Sequence, residues 1–137
     1  DIPMMADLEL QVAGISRTQD YQYLIDNTDG HWHMSVYVDG ESGALMGFLG
    51  SCSHPATNLM GPGVSENEAV ATALLVTELD RHRGQSPVFL VPMEADQLVR
   101  SAYSWGARNC EMHFCQVLGE FQPFAGVNMP TFMPETG

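Results

Sequence analysis

Two short runs in this chain carry side chains used in metal chemistry. His31-x-His33 and Cys52-x-His54 together offer four nitrogen and sulfur ligands, the number a tetrahedral zinc site takes. In the hairpin register expected below, His31 and His33 fall on one strand face and Cys52 and His54 on the other. A shared ion would need a bulge or another register, so no metal site is assigned. Glu111, His113 and Cys115 alternate along a third run, in the order of an orienting carboxylate, a base and a thiol nucleophile. On a strand, residues i and i+2 stand roughly 7 Å apart, too far for a direct hydrogen bond without side-chain lean. A buried cysteine beside a satisfied histidine is the ordinary reading of that pattern.

Composition narrows the chemistry further. All five basic residues are arginines (Arg17, Arg81, Arg83, Arg100 and Arg108), and the absence of lysine removes both a phosphate-loop lysine and a Schiff-base lysine. Seventeen acidic residues give a net charge of -12. That balance argues against nucleic acid and anionic membranes, which need a positive footprint, and suits cationic partners such as amines. A chain of 137 residues that is 45% hydrophobic holds one domain with a real core. No apolar run approaches the roughly 18–20 residues of a membrane span, and Asp1-Ile2-Pro3-Met4-Met5 does not read as a signal peptide. Three cysteines without framework spacing favour a reducing, cytoplasmic setting. The nine methionines read as core filler.

Several elements must position these residues. Ser16 and Gln19 form a capping-box spacing before Tyr21, Leu24 and Ile25, predicting a helix over about 16–27 that stops at Asn27–Gly30. Residues 31–38 alternate, with Trp32, Met34, Val36 and Val38 on one face. After turn residues Asp39–Gly43, residues 44–53 form a second strand, with Val36 opposing Met46 and Met34 opposing Phe48. Residues 58–64 are a third strand, in which Gly61-Pro62-Gly63 permits a bulge or a close backbone approach. Ser65 and Glu68 form a capping box opening a long helix to about Arg83, with Gly84 as its stop. Val88–Val91 reads as a short buried strand parallel to the third. A helix follows over 94–105 with Gly106 as left-handed cap, then a last strand over 110–118. The tail 119–137, with Pro123, Pro130 and Pro134, reads as irregular. No internal repeat is present.

That order, with the Leu45–Gly50 strand, the Met60-Gly61-Pro62-Gly63-Val64 segment before the long helix, the Val88-Phe89-Leu90-Val91-Pro92 strand and the helix ending in Trp105-Gly106-Ala107, resembles the GNAT (GCN5-related N-acetyltransferase) superfamily. The closing Met112–Gly119 strand matches the family's last strand. The likeness is greatest to the C-terminal GNAT-like domain of tandem-GNAT proteins, where an Arg-containing turn, here Ser16-Arg17-Thr18, precedes the first helix. It covers about residues 15–119 of a single domain 1–137, with a tail at 120–137. The resemblance implies an α/β (α+β) fold: a GNAT-like mixed, mostly antiparallel central sheet with a β-α-β crossover and helices on both faces.

The resemblance also implies where acetyl-coenzyme A would lie. It would use backbone contacts along Met60, Gly61, Gly63, Val64 and Ser65, with Tyr103 as proton shuttle. The family's Gln/Arg-x-x-Gly-x-Gly/Ala pyrophosphate loop is represented here by Gly63-Val64-Ser65-Glu66-Asn67-Glu68-Ala69, without a Gln or Arg lead or a glycine pair. Ser65 and Glu68 are expected to consume the free helix N–H groups there. Ala102 stands where the family's tyrosine is expected, leaving Tyr103 turned about 100° around the helix. Two functions follow. One is a binding or assembly module with a degenerate coenzyme site, taking a small ligand, another GNAT domain or a second copy of itself as a homodimer. The alternative is a divergent N-acetyltransferase moving acetyl from acetyl-coenzyme A to a small cationic amine.

Overall fold

A computed structural model of the chain describes residues 2–131. Nine elements follow in order: α1 (Ile2–Ala13), α2 (Thr18–Asp26), β1 (Trp32–Val38), β2 (Leu45–His54), β3 (Thr57–Ser65), α3 (Glu68–Arg81), β4 (Val88–Phe89), α4 (Asp96–Ser104) and β5 (Val127–Met129). The strands form a mixed sheet in the order β1-β2-β3-β4, with β5 also pairing β3. The β1-β2 and β2-β3 pairs are antiparallel, β3-β4 is parallel, and β5 runs antiparallel to β3. The crossover β3-α3-β4 is the expected β-α-β unit. Among the described residues no helix is long and apolar enough to cross a membrane.

Alternation along the strands splits the core in two. Phe48, Val64, Trp32 and Met34 face α1 and α2, packing against Met5, Leu8, Val12, Tyr21 and Leu24. Leu49, Met60, Val127 and Met129 face α3 and α4, packing against Val70, Leu74, Leu75 and Leu98. The result is a helix-sheet-helix sandwich, in which the central strands β2 and β3 serve both cores.

The hairpin turn is the one expected. Asp39 Oδ1 accepts from the Ser42 amide and hydroxyl at 2.7 and 2.6 Å, and these bonds hold its carboxyl below the usual range. The register differs by two residues: Val36 opposes Phe48 and Met34 opposes Gly50, with a bulge between Tyr37 and Val38. A slip of two preserves which face each side chain takes, so the larger Phe48, rather than Met46, meets Val36. The expected bulge at Gly61–Gly63 is present, since Leu49 pairs Gly63 while Ser51 pairs Met60. Gly61 has φ +119°, and a Cβ there would lie 2.6 Å from the Pro130 carbonyl oxygen. The same glycine therefore serves the close approach as well as the bulge.

Five expectations are corrected. Helix α1 was not anticipated, although Met5, Leu8, Glu9 and Val12 are buried at helical spacing and Pro3 suits a first turn. Helix α2 has Arg17 at its N-cap position with no side-chain cap, so Ser16 and Gln19 form no capping box. Helix α3 is capped by Asn67, whose Oδ1 accepts from the Val70 amide at 3.0 Å, rather than by Ser65. Ser65 instead ends β3, and Glu68 Oε2 accepts from the Leu98 amide at 2.9 Å, satisfying a free N–H in the first turn of α4. Residues 110–118 form no strand but run exposed and irregular. The tail, in contrast, is not wholly irregular: β5 pairs Val127–Met129 with Ser65–Gly63, buried under α3 and α4. Pro134 lies outside the described residues.

Candidate functional site: a cleft beside the β3 bulge

A cavity of about 540 Å³ opens where α2, the start of β1 and the β2-β3 turn meet. It is of the size that takes a small molecule. Its floor includes Pro62 of the bulge and Thr131 just past β5. Helix α2 supplies Asp20, Tyr23 and Leu24; the following loop supplies Asp29 and His31; the strands supply Trp32, Cys52 and His54.

Charge in the cleft is set by a residue behind it. Arg17 is bound by the fully buried Glu9: its backbone amide donates to Oε2 at 2.9 Å, and its Nε and terminal nitrogen reach Oε1 at 2.8 and 2.7 Å. Burial opposes the guanidinium charge, but the bonds and charge of Glu9 prevail and raise its pKa. The Arg17 guanidinium carbon also sits 6.0 Å from the Tyr21 ring centroid. Burial, reinforced by Glu9, pushes the Tyr21 phenol well up, so it is neutral in the folded chain. Arg17, the one permanently cationic lining residue, is thus already answered. Asp20 and Asp29 line the cleft together with the aromatic Tyr23 and Trp32.

The histidines separate. His31 and His54 meet edge to face with ring centroids 4.6 Å apart, and His54 Nδ1 accepts from the Ala56 amide at 3.0 Å, placing its ring proton on Nε2. Cys52 lies in the same cleft, and burial pushes its thiol up, away from thiolate chemistry. His33 turns to the opposite sheet face, where its Nδ1 lies 2.8 Å from Glu78 Oε1. Glu78, on α3, is fully buried and also accepts from Ser51 Oγ at 2.6 Å. The expected two-and-two division is not the one found: His31 joins Cys52 and His54 in the cleft, and only His33 of the four lies on the opposite face. Among the described residues no group of three or more His, Cys, Asp or Glu side chains could hold a metal ion.

The remaining sequence-derived candidates do not join the cleft. Tyr103 is exposed on α4, while Ala102 is buried. Glu111 and His113 touch at 3.0 Å on an exposed segment, and Cys115 is also exposed there, so the three share no strand face. Met60, Gly63, Val64 and Ser65 are buried in the ladder. On one side they pair with β2. On the other, Met60 pairs with β4, and Gly63, Val64 and Ser65 pair with β5. Gly61 is closed off by Pro130. A ligand seeking the backbone of 63–65 would have to displace β5, and one seeking Met60 would have to displace β4.

Sequence reasoning missed Glu9, Asp20, Tyr23, Asp29, Ser51 and Glu78. Glu9 and Glu78 were findable as acidic residues on the apolar stripe of a helix, a placement that demands a partner. The rim residues carried no signal, because the cleft is assembled from segments far apart in sequence. Comparison of the chain with protein-family models, curated proteins and solved structures finds no match.

Proposed function

We propose that this chain is a ligand-binding module of acetyltransferase-like architecture whose cleft takes a small cationic amine and which does not use acetyl-coenzyme A. The family reading is supported by the ordered set of elements: an antiparallel β1-β2-β3 sheet, a bulge in β3, a long helix, a parallel β4 and α4 closed by Gly106. The observation that carries the ligand reading is the pairing of Asp20 and Asp29 with Tyr23 and Trp32 around a cleft whose arginine is neutralised by Glu9. Carboxylates attract an ammonium group, and an aromatic face adds about 0.5–2 kcal/mol. The absence of a coenzyme is supported by β5 lying along the β3 edge, and the net charge of -12 disfavours a polyanionic ligand. A cytoplasmic setting accords with the free cysteines.

Trp32 provides the test. The other tryptophan, Trp105, is exposed at the end of α4 and outside the cleft, so Trp105→Phe leaves Trp32 as sole reporter. Titration of that variant with butylamine, putrescine and choline is expected to change its fluorescence with a Kd below about 1 mM. Replacing Asp20 and Asp29 by asparagine should weaken binding about two- to fivefold per carboxylate. An unchanged signal with every amine would overturn the ligand reading. Acetylation of an amine from acetyl-coenzyme A would instead establish the divergent N-acetyltransferase, with β5 displaced.

A further inference from the structure

We infer that two copies of this chain pair by exchanging the segment 110–118, each copy laying it as an added strand along the outer edge of the other's β4. This rests on a different part of the molecule from the ligand reading. Three observations converge on it.

The first is an open edge. β4 ends the sheet, and among the described residues no strand pairs its outer side. The run Val88-Phe89-Leu90-Val91 is wholly apolar, yet all four residues are only half-buried and only two are in the ladder. An apolar edge with unpaired N–H and C=O groups is a template for another strand. The second is an unpaired strand sequence. Residues 110–118 have the composition of a strand but form none, and Met112, Phe114, Val117 and Leu118 are exposed there, Phe114 at 80%. Such a concentration of exposed apolar side chains marks an interaction site. The third is placement. The segment lies between α4 and β5, both fixed in the core, and it does not lie along its own β4.

One chain type therefore carries both a strand donor and a strand acceptor, and leaves both unused. Reciprocal exchange satisfies both at once and closes as a two-fold pair, with each copy's donor and acceptor both used. Charge favours the same choice. Glu111 is the only acidic residue of 110–118, so this is a stretch where two strongly acidic chains can meet with little local repulsion. The remaining long-range repulsion is screened by salt.

Sedimentation velocity on the full chain, with hydrogen exchange on the same samples, tests the proposal. A concentration-dependent dimer is expected, tightening several-fold as salt rises from about 0.02 to about 0.3 M. Amides of 110–118 and 88–91 should be protected in the dimer and fast in the monomer. Phe114→Asp or Leu118→Asp should shift the protein to monomer. Both side chains are exposed, so the monomer's circular dichroism and its urea unfolding midpoint should be retained. A monomer at all concentrations, protected amides at 110–118 within a monomer, or a dimer that survives both substitutions would each overturn the proposal.

Discussion

Two buried carboxylates lie on opposite faces of the sheet, and they are neutralised by different chemistry. Under α1 and α2, Glu9 is held by three contacts to Arg17, whose guanidinium is charged at every pH a folded protein meets. Under α3, Glu78 is held by the Ser51 hydroxyl and by His33, whose ring is charged only when protonated. The first pair sits behind the cleft and fixes its electrostatics by removing a cation from the lining. The second ties β1, the edge strand, to α3. An acidic side chain on a helix stripe is thus used twice, once to set the charge of a cleft and once to pin an edge.

The largest expected effect breaks the first pair. Arg17→Ala strands a fully buried carboxylate and should cost about 3–5 kcal/mol in urea unfolding. His33→Ala should cost less, about 1–3 kcal/mol, because Glu78 keeps the Ser51 hydrogen bond. Equal losses for the two would dissolve the distinction drawn here.

An alkaline titration sharpens the contrast. The Tyr21 phenol beside Glu9 and the Cys52 thiol in the cleft both have raised pKa values in the fold. Each loses its proton more readily in the unfolded chain, so the unfolded state binds fewer protons as pH climbs. Their contribution is fully present below the unfolded values of 9.0 for Cys52 and 10.0 for Tyr21 and is lost above them. Stability measured from pH 8 to 11 should therefore fall with rising pH, and Tyr21→Phe should flatten the part above about pH 10. A flat profile in the native chain would contradict the burial argument.

The smallest effect belongs to Tyr103. Tyr103→Phe should change stability by less than about 0.5 kcal/mol and leave amine binding untouched, since its side chain is exposed and outside the cleft. Loss of amine binding in that variant would move the site to α4.

The sequence was most informative where one local rule decides. Turn chemistry located Asp39–Gly43, alternation sorted Trp32 and Met34 from His33, and Gly61-Pro62-Gly63 announced the bulge. It failed where competing local rules were each satisfied. Ser65 and Asn67 are both good caps, and only the end of β3 decides between them. Residues 110–118 offer a longer strand-like run than Val127–Met129, yet pairing went to the segment that Gly126, with φ +155°, lets close onto Ser65. The cleft was illegible because its chemistry depends on Glu9, in a helix that went unread, reaching Arg17 eight positions later.

The central claim is that the cleft takes cations while the β3 edge refuses the coenzyme. Isothermal titration calorimetry of one protein sample, first with putrescine and then with acetyl-coenzyme A, addresses both halves directly. The expected result is saturable heat from putrescine, with binding weakened about four- to twenty-fivefold when Asp20 and Asp29 are both asparagine, and no heat from acetyl-coenzyme A. Salt-tolerant binding of acetyl-coenzyme A, with no heat from putrescine, would contradict it.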